Sequence, residues 1–283
     1  MYIIRPSTPA DIPAIRELWS LAFGDSGAYM DAFLTHCHSL HPERTLVLEE
    51  DGVVRSMTTW IDTAFVTPDG TEHPAAYIYA VATHPDARSR GFAAKVLAWA
   101  EEHLRSLGYT AMTTVPSEPS LHNYYGSLGF RECFCHDEVR LVPSVSACPL
   151  SLEAIPPQTY TQLRETLLQD IPHIRLPVEA ATYQAGCSAI SGGGLYSVQT
   201  PFGAALLCTE GMEDGTLLVK ELLGCPKAQE IVKNSLSVIL PNFSGICRFP
   251  GKTVPFGMLK WLDPQLEANW NWASTAYLGL AFD

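Results

Sequence analysis

The stretch RSRGFAAKVLAWAEEHLRSLG, residues 88–108, sets two arginines and a glycine immediately ahead of a long amphipathic segment. Val96, Leu97, Ala100, Leu104 and Leu107 recur at steps of three and four, the period of a helix face, and Gly108 is placed to close it. Arg88 to Ala93 therefore stand at a helix N-terminus. Unpaired backbone N–H groups and the positive end of the helix dipole collect there, and Gly91 lets a ligand approach the backbone, so the pattern predicts a bound anion such as a phosphate. The plainer reading of the same residues is a surface helix with two solvated arginines, because so short a glycine motif often matches by chance.

The flanks give that helix its setting. YIYAVATHP, residues 77–85, is a buried strand running into the arginine loop, and AMTTVP, residues 111–116, is a strand just after the helix, which makes a βαβ unit with a parallel pair. Upstream, YIIRPS reads as a short strand, Thr8 to Ala22 and about Gly27 to His38 as helices, and residues 44–65 as a hairpin turning at Asp51-Gly52. A short helix at Leu121 to Ser127 and the strand FRECFCHDEVRLV, residues 130–142, follow.

At 283 residues, with 47% hydrophobic and 17% charged residues, the chain has apolar material for two folded domains. VPSVSACPLS, residues 142–151, is low in charge and lacks periodicity, so the expected domains are 1–145 and 146–283. Beyond it the order of elements repeats. Helical segments at about 157–190 precede a hairpin over 195–210, a strand LLVKELLG, a helix AQEIVKNSLSVIL and a strand SGICRFPG, as in an internal duplication. Between Leu223 and Ile231, however, the second copy reads GCPKAQE and lacks the arginine-glycine pattern, so the expectation is one anion site, in the first half.

Several classes are set aside by composition. A net charge of −12 without a basic stripe argues against nucleic acid as partner. The N-terminal residues have no signal-peptide pattern and no run suits a membrane span, so the expected location is the cytoplasm, away from membranes. The eight cysteines are scattered, and the Cys133-Phe-Cys135 pair is too close and isolated for a zinc half-site, so no metal is expected.

Taken together, VATHPDARSRGFAAKVL and HNYYGSLGFRE resemble the GCN5-related N-acetyltransferase (GNAT) superfamily. The acetyl-CoA motif Arg/Gln-x-x-Gly-x-Gly/Ala is matched by Arg88, Gly91 and Ala93, and the Tyr-x-x-Leu-Gly-Phe motif by Tyr125, Leu128, Gly129 and Phe130. The two GNAT-like halves look like a short relative of the Eis-type tandem acetyltransferases, although the chain is too short for their third, sterol-carrier-like domain. The resemblance implies an α+β fold with a mixed sheet, two tandem GNAT domains of which the second is degenerate, and acetyl-CoA as cosubstrate without a metal.

It also implies roles. The amides of Ser89, Arg90, Gly91, Phe92, Ala93 and Ala94 would hold the pyrophosphate with Arg88 and Arg90 adding positive potential, while the backbone of Val81, Ala82 and Thr83 would pair with the pantetheine arm. Tyr125 would protonate the departing thiolate, with Tyr124 beside it a packing residue. Glu118, His122, His84 and the carboxylate of Asp283 are candidates for the base that frees the amine, none carried by a motif. The implied activity is direct acetyl transfer to a primary amine of a small molecule or protein, with homo-oligomerisation left open; the alternative is a CoA-binding regulatory or structural protein without turnover. A dinucleotide site is disfavoured, since Gly-x-Gly-x-x-Gly and a ribose-binding acid are both missing. The aromatic residues of KWLDPQLEANWNWAS are expected to pack the seam between the halves.

Overall fold

The computed structural model describes residues 1–141, 150–239 and 245–282. The inter-domain boundary, Cys148 and Asp283 fall outside these, apart from the boundary's last two residues. The first half runs β1 (Tyr2–Pro6), α1 (Ile12–Phe23), α2 (Gly27–Phe33), β2 (Thr45–Glu50), β3 (Val53–Val66), β4 (Glu72–Thr83), α3 (Phe92–Ser106), β5 (Ala111–Thr114), α4 (Pro119–Ser127) and β6 (Arg131–Leu141). The second runs β7 (Leu152–Ala154), α5 (Pro157–Leu168), β8 (His173–Arg175), α6 (Val178–Ile190), β9 (Gly194–Thr200), β10 (Gly203–Gly211), β11 (Leu217–Leu223), α7 (Pro226–Ile239), β12 (Gly245–Pro250), β13 (Val254–Trp261) and α8 (Pro264–Asn269). The sheet is mixed, and the second half follows the element order of the first except that β8 stands between its first two helices and no helix separates β12 from β13.

The described strands form a single sheet in the order β1-β2-β3-β4-β5-β13-β6-β12-β11-β10-β9-β7, with β8 added to the far end of β3. Only β4 with β5 and β11 with β12 pair in parallel, which is what two strand-helix-strand crossovers require. The connectivity at the centre is not legible in the sequence. β13, from the second half, lies between β5 and β6 of the first, and β6 in turn pairs with β12 of the second. Each half therefore lends one strand to the other's sheet.

Side chains knit this exchange. Lys260 on β13 donates to Glu101 on α3 at 2.5 Å and to the Leu128 carbonyl at the end of α4 at 2.7 Å, and Arg105 on α3 donates to the Leu262 carbonyl at 2.7 Å. One apolar cluster spans the seam, with Phe65, Phe134, Tyr160, Leu206, Leu259 and Tyr277 among its members. Trp261 and Trp270 stand edge-on to Phe65 at 5.3 and 5.0 Å, so the aromatic segment at 260–274 packs the seam as expected. The sequence pattern over 157–190 reads as helical only; β8 interrupts it, because Ile174 and Arg175 complete the β3 edge at Phe65 and Ala64.

At the other end of the first half, Asp11 clamps the turn from β1 into α1. Its carboxylate accepts from both terminal nitrogens of Arg5 at 2.8 and 2.9 Å and from the Thr8 amide at 2.7 Å. These Arg5 hydrogen bonds, against the opposing effect of burial, hold Asp11 down at about 2.

Candidate active site

β4 and β5 are paired only from Ala75↔Ala111 to Tyr77↔Thr113. Beyond Tyr77 the two strands part, and the Thr114 hydroxyl donates to the Ile78 carbonyl at 3.3 Å as the last link. Among the described residues no strand pairs with 78–83 on the β5 side, while β3 pairs with them on the other. Val81, Ala82 and Thr83 thus lie along a strand edge without a strand partner, where the Thr83 carbonyl accepts from Arg88 Nε at 3.4 Å.

A bulge marks the same place. Ala80 has φ 52°, and the register against β3 slips between Met57 and Thr59. Alanine tolerates this left-handed conformation at a cost of about 1 kcal/mol, and its effect is to turn the consecutive residues Tyr79 and Ala80 to the same side of the sheet, into the cluster that α1 and α2 cover.

Directly after β4, Pro85–Ala87 make one turn of 3-10 helix, and the chain enters α3 through two left-handed residues, Ser89 at φ 62° and Gly91 at φ 74°. The first bond across the helix start runs from the Lys95 amide to the Gly91 carbonyl at 3.1 Å, leaving Phe92, Ala93 and Ala94 as the orphan donors of the N-terminus. A Cβ at Gly91 would meet nothing within 4 Å, so the glycine borders open space. Arg88 is exposed at the loop. Arg90 is held by Glu50 on β2 at 2.7 and 2.5 Å and lies over the Phe92 ring at 4.5 Å, so its charge is already compensated and the backbone amides are the main attraction for an anion.

Tyr125 sits on α4, which begins at Pro119, two residues earlier than its periodicity suggests. The side chain is 6% exposed and stands edge-on to Phe130 at 5.6 Å. Burial pushes its phenol up to about 12, with a hydrogen bond to the Thr114 side chain acting in the opposite sense. The hydroxyl therefore lies by the end of β5, where the strands part. Tyr124 packs against Tyr125 at 5.3 Å between ring centres, and its phenol is likewise raised by burial. Of the candidate bases, His122 is tied to Glu132 at 2.7 Å, Glu118 precedes α4 with its carboxylate accepting from the Ser120 hydroxyl at 3.3 Å, and His84 accepts from the Asp86 amide at 3.3 Å.

Three features of this region escape the sequence reading: the Ala80 bulge, the supporting Thr114 and an aromatic wall on the α1/α2 side. In that wall Tyr79 and Tyr183 share a hydroxyl contact of 3.1 Å, Trp19 stands edge-on to Tyr79 at 5.4 Å, and Phe282 lies 5.5 Å from Tyr79 and 4.9 Å from Tyr183. The alternation of Tyr77 and Tyr79 was the local signal; Tyr183 and Phe282 arrive from remote segments. No group of three His, Cys, Asp or Glu among the described residues is placed to hold a metal ion, and no described helix is long and apolar enough to cross a membrane.

Residues 3–133 match the family model described as an acetyltransferase (GNAT) domain. Among solved structures, a GCN5-related N-acetyltransferase from Anabaena variabilis superimposes with a TM-score of 0.69 at 14% identity, covering 93% of this chain and 73% of that one. A probable N-acyltransferase of unknown function from Enterococcus faecalis gives 0.70 at 12% identity over 93% and 73%, and Eis1 from Mycobacterium abscessus 0.65 at 13% over 93% and 74%. No curated protein matches the chain. Residues 3–133 thus match a GNAT domain, and the fold the chain shares with these structures extends through both halves.

Proposed function

We propose that the protein is an acetyl-CoA-dependent N-acetyltransferase that acts on a primary amine of a small molecule or protein, with its cosubstrate site in the first half of the chain. One observation carries the reading. The unpaired β4 edge, the left-handed entry into α3 and the Tyr125 phenol lie around one opening where β4 and β5 part. A pantetheine arm would pair with the backbone of Val81 to Thr83, and the pyrophosphate would take amides of Ser89 to Ala94 with Arg88 beside them. The residues fit such a group: the edge has unpaired backbone, the helix start has orphan donors, and Gly91 leaves room.

In the transfer, the neutral amine nitrogen attacks the thioester carbonyl, the C–S bond breaks as the thiolate takes the proton of the Tyr125 hydroxyl, and the proton lost by the nitrogen returns through solvent to the tyrosinate. A phenol pushed up to about 12 is fully protonated at neutral pH, as an acid in this role must be. The aromatic wall at Tyr79 and Tyr183 forms the acceptor side. The second half, with the boundary near residue 145, has neither the arginine-glycine loop nor a helix between β12 and β13, and supports the first.

The test is thiol release from acetyl-CoA against a panel of amines, with Gly91→Glu as control, since its carboxylate would occupy the anion's place. Amine-dependent release that disappears in Gly91→Glu is expected. Tight binding of acetyl-CoA with no release against any amine would instead make the protein a CoA-binding regulator.

A further inference from the structure

The second half carries a buried ion pair that the proposed chemistry does not use. Arg164 on α5 is 1% exposed and Glu221 on β11 is fully buried, with the arginine Nε 3.1 and 3.2 Å from the two carboxylate oxygens. Tyr160 donates its hydroxyl to the same carboxylate at 2.7 Å. Such a pair is costly to desolvate and is weak evidence for stability, since an apolar replacement often serves as well. Its geometry points to another use.

The remaining Arg164 nitrogens donate to the Ile174 carbonyl at 2.7 Å and to the Leu278 carbonyl at 2.9 Å. Leu278 belongs to a segment threaded between the halves: the Ala276 amide donates to Cys133 at 2.8 Å, and the Tyr277 amide to Pro172 at 2.8 Å. Gly279 then crosses the pair at φ 75°, where a Cβ would stand 2.1 Å from a Glu221 oxygen and 2.9 Å from an Arg164 nitrogen. Three residues later Phe282 reaches Tyr79 and Tyr183.

Register shows where Glu221 sits. The bulge at Ala80 turns Tyr79 and Ala80 to one face of β4, and the register slip at Lys220 turns Lys220 and Glu221 to the corresponding face of β11. Tyr79 faces α1 through Trp19, and Glu221 faces the corresponding helix α5 through Arg164.

From this we infer that the second half has turned its counterpart of the acceptor face into an anchor for residues 276–282. Arg164 and Glu221 are positioning residues, and the Phe282 they place is a wall of the acceptor site, setting how well amines fit. The inference rests on the acetyltransferase reading for the wall and on geometry alone for the anchor.

Two variants separate these parts. Arg164→Met/Glu221→Leu removes both buried charges together, and its melting temperature should stay within about 5 °C of wild type. Hydrogen exchange of the amides in 276–282 should nevertheless rise by about tenfold or more. Phe282→Ala should leave that exchange unchanged. In both variants the KM for the amine should rise about tenfold, with kcat and the acetyl-CoA affinity within about twofold, the pattern of lost uniform binding. The amines used are spermidine, tyramine and a peptide with a free N-terminus.

Unchanged exchange over 276–282 in the double variant would overturn the anchor, and an unmoved amine KM in both variants would overturn the wall. If wild type binds acetyl-CoA yet releases no thiol with any of the three amines, the acetyltransferase reading falls and the wall with it. The exchange result still decides the anchor.

Discussion

The two halves of this chain follow much the same order of elements and differ most after their parallel strands. In the first, residues 84–91 separate β4 from α3 and include two left-handed positions; in the second, Gly224 and Cys225 alone separate β11 from α7. The first half has α4 between β5 and β6, which brings Tyr125 to the opening. The second passes from β12 to β13 through residues 251–253, too few for a helix, and so has no counterpart of Tyr125. At the bulges past the parallel pairs, one half presents Tyr79 and Ala80 and the other Lys220 and Glu221. On the proposed reading, a common scaffold serves as ligand site in one half and as anchor in the other.

The comparison is tested most severely by separating the halves. Residues 1–141 alone would leave β5 and β6 without the β13 that lies between them and would open the cluster around Phe65 and Phe134. The expected result is no cooperative thermal transition by circular dichroism, against a clear one for the whole chain. An independently folded first half would mean that the exchanged strand is dispensable.

A smaller effect is expected at the phenol. Tyr125→Phe keeps the ring packed against Phe130 and removes only the proton donor. Turnover should fall by about 10² to 10⁴ with acetyl-CoA affinity unchanged. Equal turnover would move the acid elsewhere. Because the phenol titrates at about 12, wild-type activity should show no loss from this group as pH rises from neutral to its ordinary range near 10.

The smallest effect concerns the frames of the two halves. Asp11 clamps the first β-to-α turn, whereas α5 opens at Pro156-Pro157 with no side-chain cap. Asp11 is held at about 2 against an ordinary 3.8, so its stabilisation is complete above about pH 4 and is lost as pH falls through about 2. Asp11→Asn should destabilise the protein by about 2 kcal/mol at neutral pH and by progressively less on acidification, measured by urea unfolding. A pH-independent difference would show that the clamp acts through packing instead of charge.

Much of the frame was legible in local pattern. The apolar spacing of α3 and the Asp51-Gly52 turn declare themselves within a few residues, and Gly91 announces a helix entry that does adopt positive φ. The second half's hairpin, β11, α7 and β12 fall where the repeat predicts them. What stayed hidden was non-local. The insertion of β13 depends on pairing with strands more than a hundred residues away, and Phe282 meets Tyr79 from the opposite end of the chain. Nor does the sequence of YIYAVATHP contain the Ala80 bulge, since alanine carries no preference for the left-handed region and the surroundings impose it. The pairing of Arg90 with Glu50 likewise brings together two residues whose motif context treats only one as functional.

The central claim is that one half of the scaffold holds the cosubstrate and the other does not, and calorimetric titration of acetyl-CoA tests it directly. The account expects one site per chain, lost in Gly91→Glu and retained in Cys225→Glu, which alters the matching position before α7. Two sites per chain, or binding that survives Gly91→Glu and fails in Cys225→Glu, would contradict it.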